Sequence, residues 1–248
     1  MILLEVCANS VSSALAAQTG GALRVELCEN LQEGGTTPSF GQILMARKLL
    51  HIKLYVLVRP RGGDFLYNDN EYETMLADVR YCIESGCDGI VIGILNADGT
   101  VDKDRNREIV RMAKQWGLGI TFHRAFDMCA NQLQAMEDII ELGFERILTS
   151  GGKSTAMEGA SVIANLVNKA AGRIIIMPGS GINPSNVTDL VKYTKVQEIH
   201  SSAKIPVQSQ MKYKNDHILM GDFGEEYTFE QTDVELVKGI LKKANKLT

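Results

Sequence analysis

The chain has 248 residues, with 26 lysines and arginines against 30 aspartates and glutamates, for a formal net charge of −4. That balance argues against nucleic acid as a partner. No apolar run approaches the ~18 residues of a membrane span, so no membrane partner is expected either. The length is close to the roughly 250 residues typical of a single barrel domain of alternating strands and helices.

The first apolar run, residues 2–7 (ILLEVC), reads directly as a strand, and with no basic stretch before it no signal peptide is expected. A second run follows at 23–28 (LRVELC), and Ser39 is placed to cap a helix through Leu50. Run three is 53–59 (KLYVLVR). Behind it Tyr72, Met75, Leu76, Val79 and Ile83 fall at helical spacing over 70–84. After run four, 89–94 (GIVIGI), Asp102 caps a predicted helix at 103–116 that Gly117 ends. Run five, 119–124 (GITFHR), precedes a helix at 132–142 ended by Gly143. Run six, 146–150 (RILTS), leads to a helix at 155–171. Run seven, 173–178 (RIIIMP), leads to one at 185–193 with Pro184 near its first turn. Run eight is 196–201 (VQEIHS), and Thr232 is placed to cap a closing helix at 233–246.

Eight β-branched, continuously apolar strands alternating with helices predict a parallel sheet, closed as a (β/α)₈ TIM barrel in one domain, 1–248. A doubly wound sheet would place a glycine-rich turn after its first strand, where this chain has Ala8, Asn9 and Ser10. Residues 202–230 break the rhythm with a long connection that carries Met211, Tyr213, Ile218, Leu219, Met220 and Phe223, a candidate lid or oligomer contact. Five cysteines, an odd number without close-paired metal spacing, point to free thiols in a reducing cytoplasm.

Strand side chains alternate faces, and active groups of such barrels gather at the C-terminal strand ends. Alternation turns Leu3, Glu5, Cys7, Glu26, Cys28, Thr121, His123, Glu198 and His200 inward. An inward carboxylate needs a partner, and Arg59, Arg61 and Arg124 at nearby strand ends are the expected ones.

These stretches also carry a resemblance. EVCANS, RVELCENLQEGGTTPS, VRPRGGDFLYND, GCDGIVIGILNADGTVD, TFHRAFDMC, RILTSGGK, IMPGSGI and EIHSSA together resemble the CutC copper homeostasis family over residues 1–202. The resemblance implies a cytoplasmic (β/α)₈ barrel, a homo-oligomer (dimer or tetramer) and a link to copper, without fixing a reaction.

Two site readings stand side by side. Cuprous ion favours thiolate, thioether and imidazole ligands. Cys7 and Cys28 close neighbouring strands, and barrel closure brings His200 beside Cys7, with Met177 next along the arc. The other reading is an enzyme working on a small phosphorylated or carboxylated metabolite. Gly151 and Gly152 after strand six, and Gly179, Ser180 and Gly181 after strand seven, are the candidate anion-binding amides. Arg59 and Arg61 are the candidate clamp, with Asp64 as a holder for one of them. His123 is the candidate general acid or base, with Asp127 orienting it or pairing with Arg124, and Glu5 and Glu26 nearby. A third class is an interaction protein that uses residues 202–230.

Overall fold

Eight parallel strands follow one another around the fold in chain order: β1 (Leu3–Ala8), β2 (Arg24–Leu27), β3 (Lys53–Leu57), β4 (Gly89–Ile92), β5 (Gly119–Phe122), β6 (Arg146–Thr149), β7 (Ile175–Pro178) and β8 (Glu198–Ser201). The computed structural model describes residues 1–215, 217, 218, 220 and 226–246. Hydrogen-bonded ladders join β7 through β1 in sequence, and β1 also pairs with β8. β7 and β8 lie side by side without an assigned ladder, so the barrel is nearly closed. The helices α1 (Val11–Thr19), α2 (Phe40–Leu49), α3 (Asp69–Glu84), α4 (Lys103–Gln115), α5 (Gln132–Leu142), α6 (Ala160–Ala170), α7 (Val187–Thr194) and α8 (Val234–Ala244) follow the strands in order. This is the (β/α)₈ barrel expected from the repeat.

Alternation explains where the core lies. Leu4, Val6, Val25, Leu27, Val56, Ile90, Ile120, Phe122 and Ile199 point out of the sheet and join the helices in one continuous apolar layer. Inside the barrel only a small apolar group remains, comprising Cys7, Cys28, Tyr55, Leu57 and Val91. Much of the rest of the interior is polar or charged. Tyr55 reaches across the barrel floor because β4 and β5 offer glycine there. A Cβ on Gly89 would lie 2.5 Å from the Tyr55 ring, and one on Gly119 would lie 1.8 Å from its hydroxyl.

Local signals place most helix ends. Ser39, Asn68, Asp102, Asn131 and Asp233 each accept a backbone N–H in the first turn of the helix they precede. Of the boundaries that differ from expectation, three stand out. α6 begins at Ala160 instead of 155, because Gly159 packs on the carbonyl of Ser150 in a turn that a helix could not make. α7 starts two residues later than expected, at Val187. α8 is capped by Asp233, since Thr232 ends a strand. The long connection is not plain loop: β9 (Lys204–Gln208) and β10 (Thr228–Thr232) pair antiparallel across it. Met211, Tyr213, Ile218 and Met220 beyond this hairpin are exposed, while Leu219 and Phe223 lie outside the described residues. No helix among the described residues is long and apolar enough to cross a membrane.

Candidate functional site

The barrel interior is built in two polar storeys. In the lower one Arg24 bonds Glu5 through Nε and Glu198 through Nη2, and Arg146 reaches the same Glu198 carboxylate at 3.2 Å. Arg146 also bonds Glu145 and Thr121, and both guanidiniums stand over the Tyr55 ring, 5.2 and 5.3 Å from its centroid. Burial pushes the Glu5 carboxyl up, but the Arg24 charge and the bond from His200 outweigh it and hold the group at about 2. The inward glutamates are thus paired, though not by the expected cations. Arg59, Arg61 and Arg124 are engaged elsewhere. The partners of Glu5 and Glu198 are Arg24 and Arg146, which sit at inward positions near the starts of their strands, and Glu26 has His200 beside it.

His200 links this storey to the upper one. Its Nδ1 lies 2.8 Å from Glu5 and its Nε2 3.4 Å from Glu26. Burial opposes a charge on this ring. Bonds to Cys7 and Glu5 and the Glu26 charge prevail, and its pKa stands well above the ordinary value. Burial raises the pKa of Glu26 in turn, against the pull of His200. The Cys7 and Cys28 sulfurs are 3.2 Å apart. That contact, then burial, raises the Cys7 thiol well above its usual range. The donor atoms of Cys7, Glu26 and His200 all lie within 4.8 Å of one another. All five cysteines are free. Met177 leaves the expected soft arc, because its thioether faces Arg24 at 3.4 Å in the lower storey.

Above this cluster opens a cavity of about 400 Å³, in the usual size range of small-molecule sites. Its wall includes Cys7, Glu26 and His200, then Arg59, His123 and Arg124, and on the far side Ser180 and Gly181. Glu5 and Cys28 lie beneath the wall. Arg61 is not part of it, because its guanidinium is turned outward to Glu71 at 2.5 Å and to Asp64 at 3.1 Å. The expected arginine clamp therefore does not form. Of the two, only Arg59 lines the cavity, held by the carbonyls of Glu33, Gly35 and Gly63.

His123 caps the short 3₁₀ turn Arg124–Met128, its Nδ1 accepting the N–H of Ala125 at 3.1 Å. Burial, then the nearby Arg59 charge, lowers its pKa to about 3. The lowered pKa keeps the imidazole neutral, and with Nδ1 taken up as an acceptor its Nε2–H is left as a donor. Asp127 does not orient it. That carboxylate bonds Arg124 at 2.8 Å and fills the turn after β6, accepting from the N–H groups of Ser150 and Gly152 at 3.0 Å and from the hydroxyls of Thr149 and Ser150. Gly151 N–H goes to Thr149 Oγ1 and Gly179 N–H to the Thr149 carbonyl. The amides of Gly151, Gly152 and Gly179 are therefore taken up internally. Ser180 and Gly181, both at positive φ, remain on the cavity rim.

Sequence comparison agrees with this architecture. A profile of the CutC family matches residues 2–205. A CutC family protein of Xylella fastidiosa is 48% identical over 239 residues, covering 96% of this chain and 87% of that one. A second, from Bacteroides thetaiotaomicron, is 50% identical over 218 residues, covering 88% of this chain and 87% of its own. A crystal structure provisionally described as the copper homeostasis protein CutC of Streptococcus agalactiae superposes with a TM-score of 0.77 at 36% identity, covering 82% of this chain and 99% of that one. Phosphoribosylanthranilate isomerase of Thermotoga maritima, at 13% identity and a TM-score of 0.58, shares the fold alone.

Proposed function

The chain belongs to the CutC family, and from that premise we propose that it binds cuprous ion at the base of the barrel mouth, as a copper homeostasis protein of the reducing cytoplasm. The observation that carries this reading is the Cys7 sulfur, 3.2 Å from that of Cys28 and within 4.8 Å of the donor atoms of His200 and Glu26. Two thiolates and an imidazole are the donor set that soft Cu(I) favours over hard cations. Glu5 supports the ring from the side opposite the thiols, as a carboxylate behind a ligating histidine does.

Binding requires the Cys7 and Cys28 thiols and the His200 Nε2 to give up their protons. Affinity therefore rises with pH, and protons are released on binding. Replacing Cys7 and Cys28 together by Ser is expected to abolish Cu(I) capture in competition with a chromogenic chelator. Unchanged affinity in the double variant would rule the site out.

The same reading takes the protein as a homo-oligomer. The exposed apolar residues beyond β9 and β10 support that contact. Shortening residues 209–227 to a tight turn is expected to reduce the mass seen by light scattering to that of one chain. An unaltered mass would place the contact elsewhere.

A further inference from the structure

We propose that the mouth cavity is also a binding site for a small organic carboxylate, seated at Arg59 and His123. Arg59 is buried, 4% exposed, yet among the described residues no carboxylate lies within ion-pair distance of it. Three loop carbonyls take its terminal nitrogens, while its Nε–H has no partner. A desolvated guanidinium with no carboxylate in contact is costly, and an anion from outside would relieve it.

The second observation is independent. His123 is 5% exposed and its Nε2 is likewise without a partner among the described residues. The Nδ1 acceptor bond to Ala125 fixes the proton on Nε2, so this atom can only donate. Phe65 ties the two donors together, its ring 5.1 Å from the Arg59 guanidinium carbon and 4.9 Å from the His123 ring. All three residues line the same cavity. One orphaned cationic donor and one orphaned neutral donor, both covered by neighbouring side chains, match in number the two oxygens of a carboxylate.

The rest of the wall describes the remainder of the ligand. Leu31, Leu57, Leu148, Ile182, Leu236 and Ile240 make most of it apolar. A bare tetrahedral anion would leave that surface unused, whereas a carboxylate with a short apolar tail would cover it.

The test uses reduced, metal-free protein with ¹⁵N-labelled histidine, titrated with phenylacetate, with hexanoate, and with inorganic phosphate at matched ionic strength. The expected result is a saturable shift of the His123 Nε2 resonance with at least one carboxylate, at concentrations where phosphate has no effect. Calorimetry with that carboxylate is expected to show about tenfold weaker binding to His123→Phe, which keeps the ring but not the donor. Arg59→Met is expected to weaken binding at least as much. If Arg59→Met does not fold, the wild-type titration and His123→Phe decide the matter. No saturable shift with either carboxylate, an equal response to phosphate, or full affinity in His123→Phe would each overturn the proposal. Loss of Cu(I) capture in the cysteine variants bears on the other site alone.

Discussion

Arg24 stands between Glu5 and Glu198, beside the Met177 thioether and over the ring of Tyr55. Replacing it by Met would leave two carboxylates in a closed interior with Arg146 and His200 as the remaining cations. Removing one member of such a buried network typically costs about 3–5 kcal/mol. Arg24→Met is therefore expected to lower the urea midpoint strongly, and a change no larger than that of a surface substitution would show the network to be dispensable. The residue also shows what sequence reading could reach. Alternation placed Glu5, Cys7, Glu26, His123 and His200 correctly inside, and the same parity puts Arg24 there. Attention to the strand ends, where barrel chemistry gathers, drew the pairing toward Arg59, Arg61 and Arg124. A long guanidinium reaches along the axis by several ångströms, so the pairing depends on side-chain course, which periodicity does not encode.

At the scale of elements, β3, β4 and β5 are fitted to one another by Tyr55. Its hydroxyl reaches Glu145 at 3.2 Å by passing over Gly89 and Gly119. Gly119→Ala would drive a methyl into that hydroxyl, and overpacking of this kind costs typically about 1–3 kcal/mol. The expected outcome is a lowered melting temperature for Gly119→Ala that Tyr55→Phe partly restores. Equal stability with and without the methyl would mean that the tyrosine is free to move aside. Strands, most helices and their caps were legible because each is a local signal, as with Ser39 and Asp102. The start of α6 was not, since it is set by Gly159 folding back against Ser150 and Gly151 at the head of the same loop. The hairpin of β9 and β10 escaped notice because its strands are short, polar and separated by 19 residues.

For the whole molecule the buried charges set a direction for acid stability. Glu5 is held at about 2 against an ordinary 4.5, so its contribution is complete above pH 4.5 and is lost as the pH falls toward 2. His123, lowered from 6.5 to about 3, is neutral in the fold and protonated in the open chain below 6.5, which again favours unfolding in acid. His200 acts the other way, since its raised pKa gives stability at low pH that is lost only above its folded value. Glu5 and His123, opposed in this range by the raised carboxyl of Glu26, predict a urea midpoint that falls from pH 6.5 to pH 3, less steeply below 4.5 in Glu5→Gln. A flat profile across that range would contradict the assignment of these charges.

The Asp127 carboxylate has a consequence for how the mouth is divided. The turn after β6 is shaped to receive an anion, and the chain supplies that anion itself, on a tether three residues from Arg124. A covalently attached guest competes at an effective concentration that few dissolved ions approach. The turn is therefore rigid without any visitor and closed to one. Selectivity at the mouth begins with this self-occupied berth, which leaves Ser180 and Gly181 to line the cavity with Arg59 and His123.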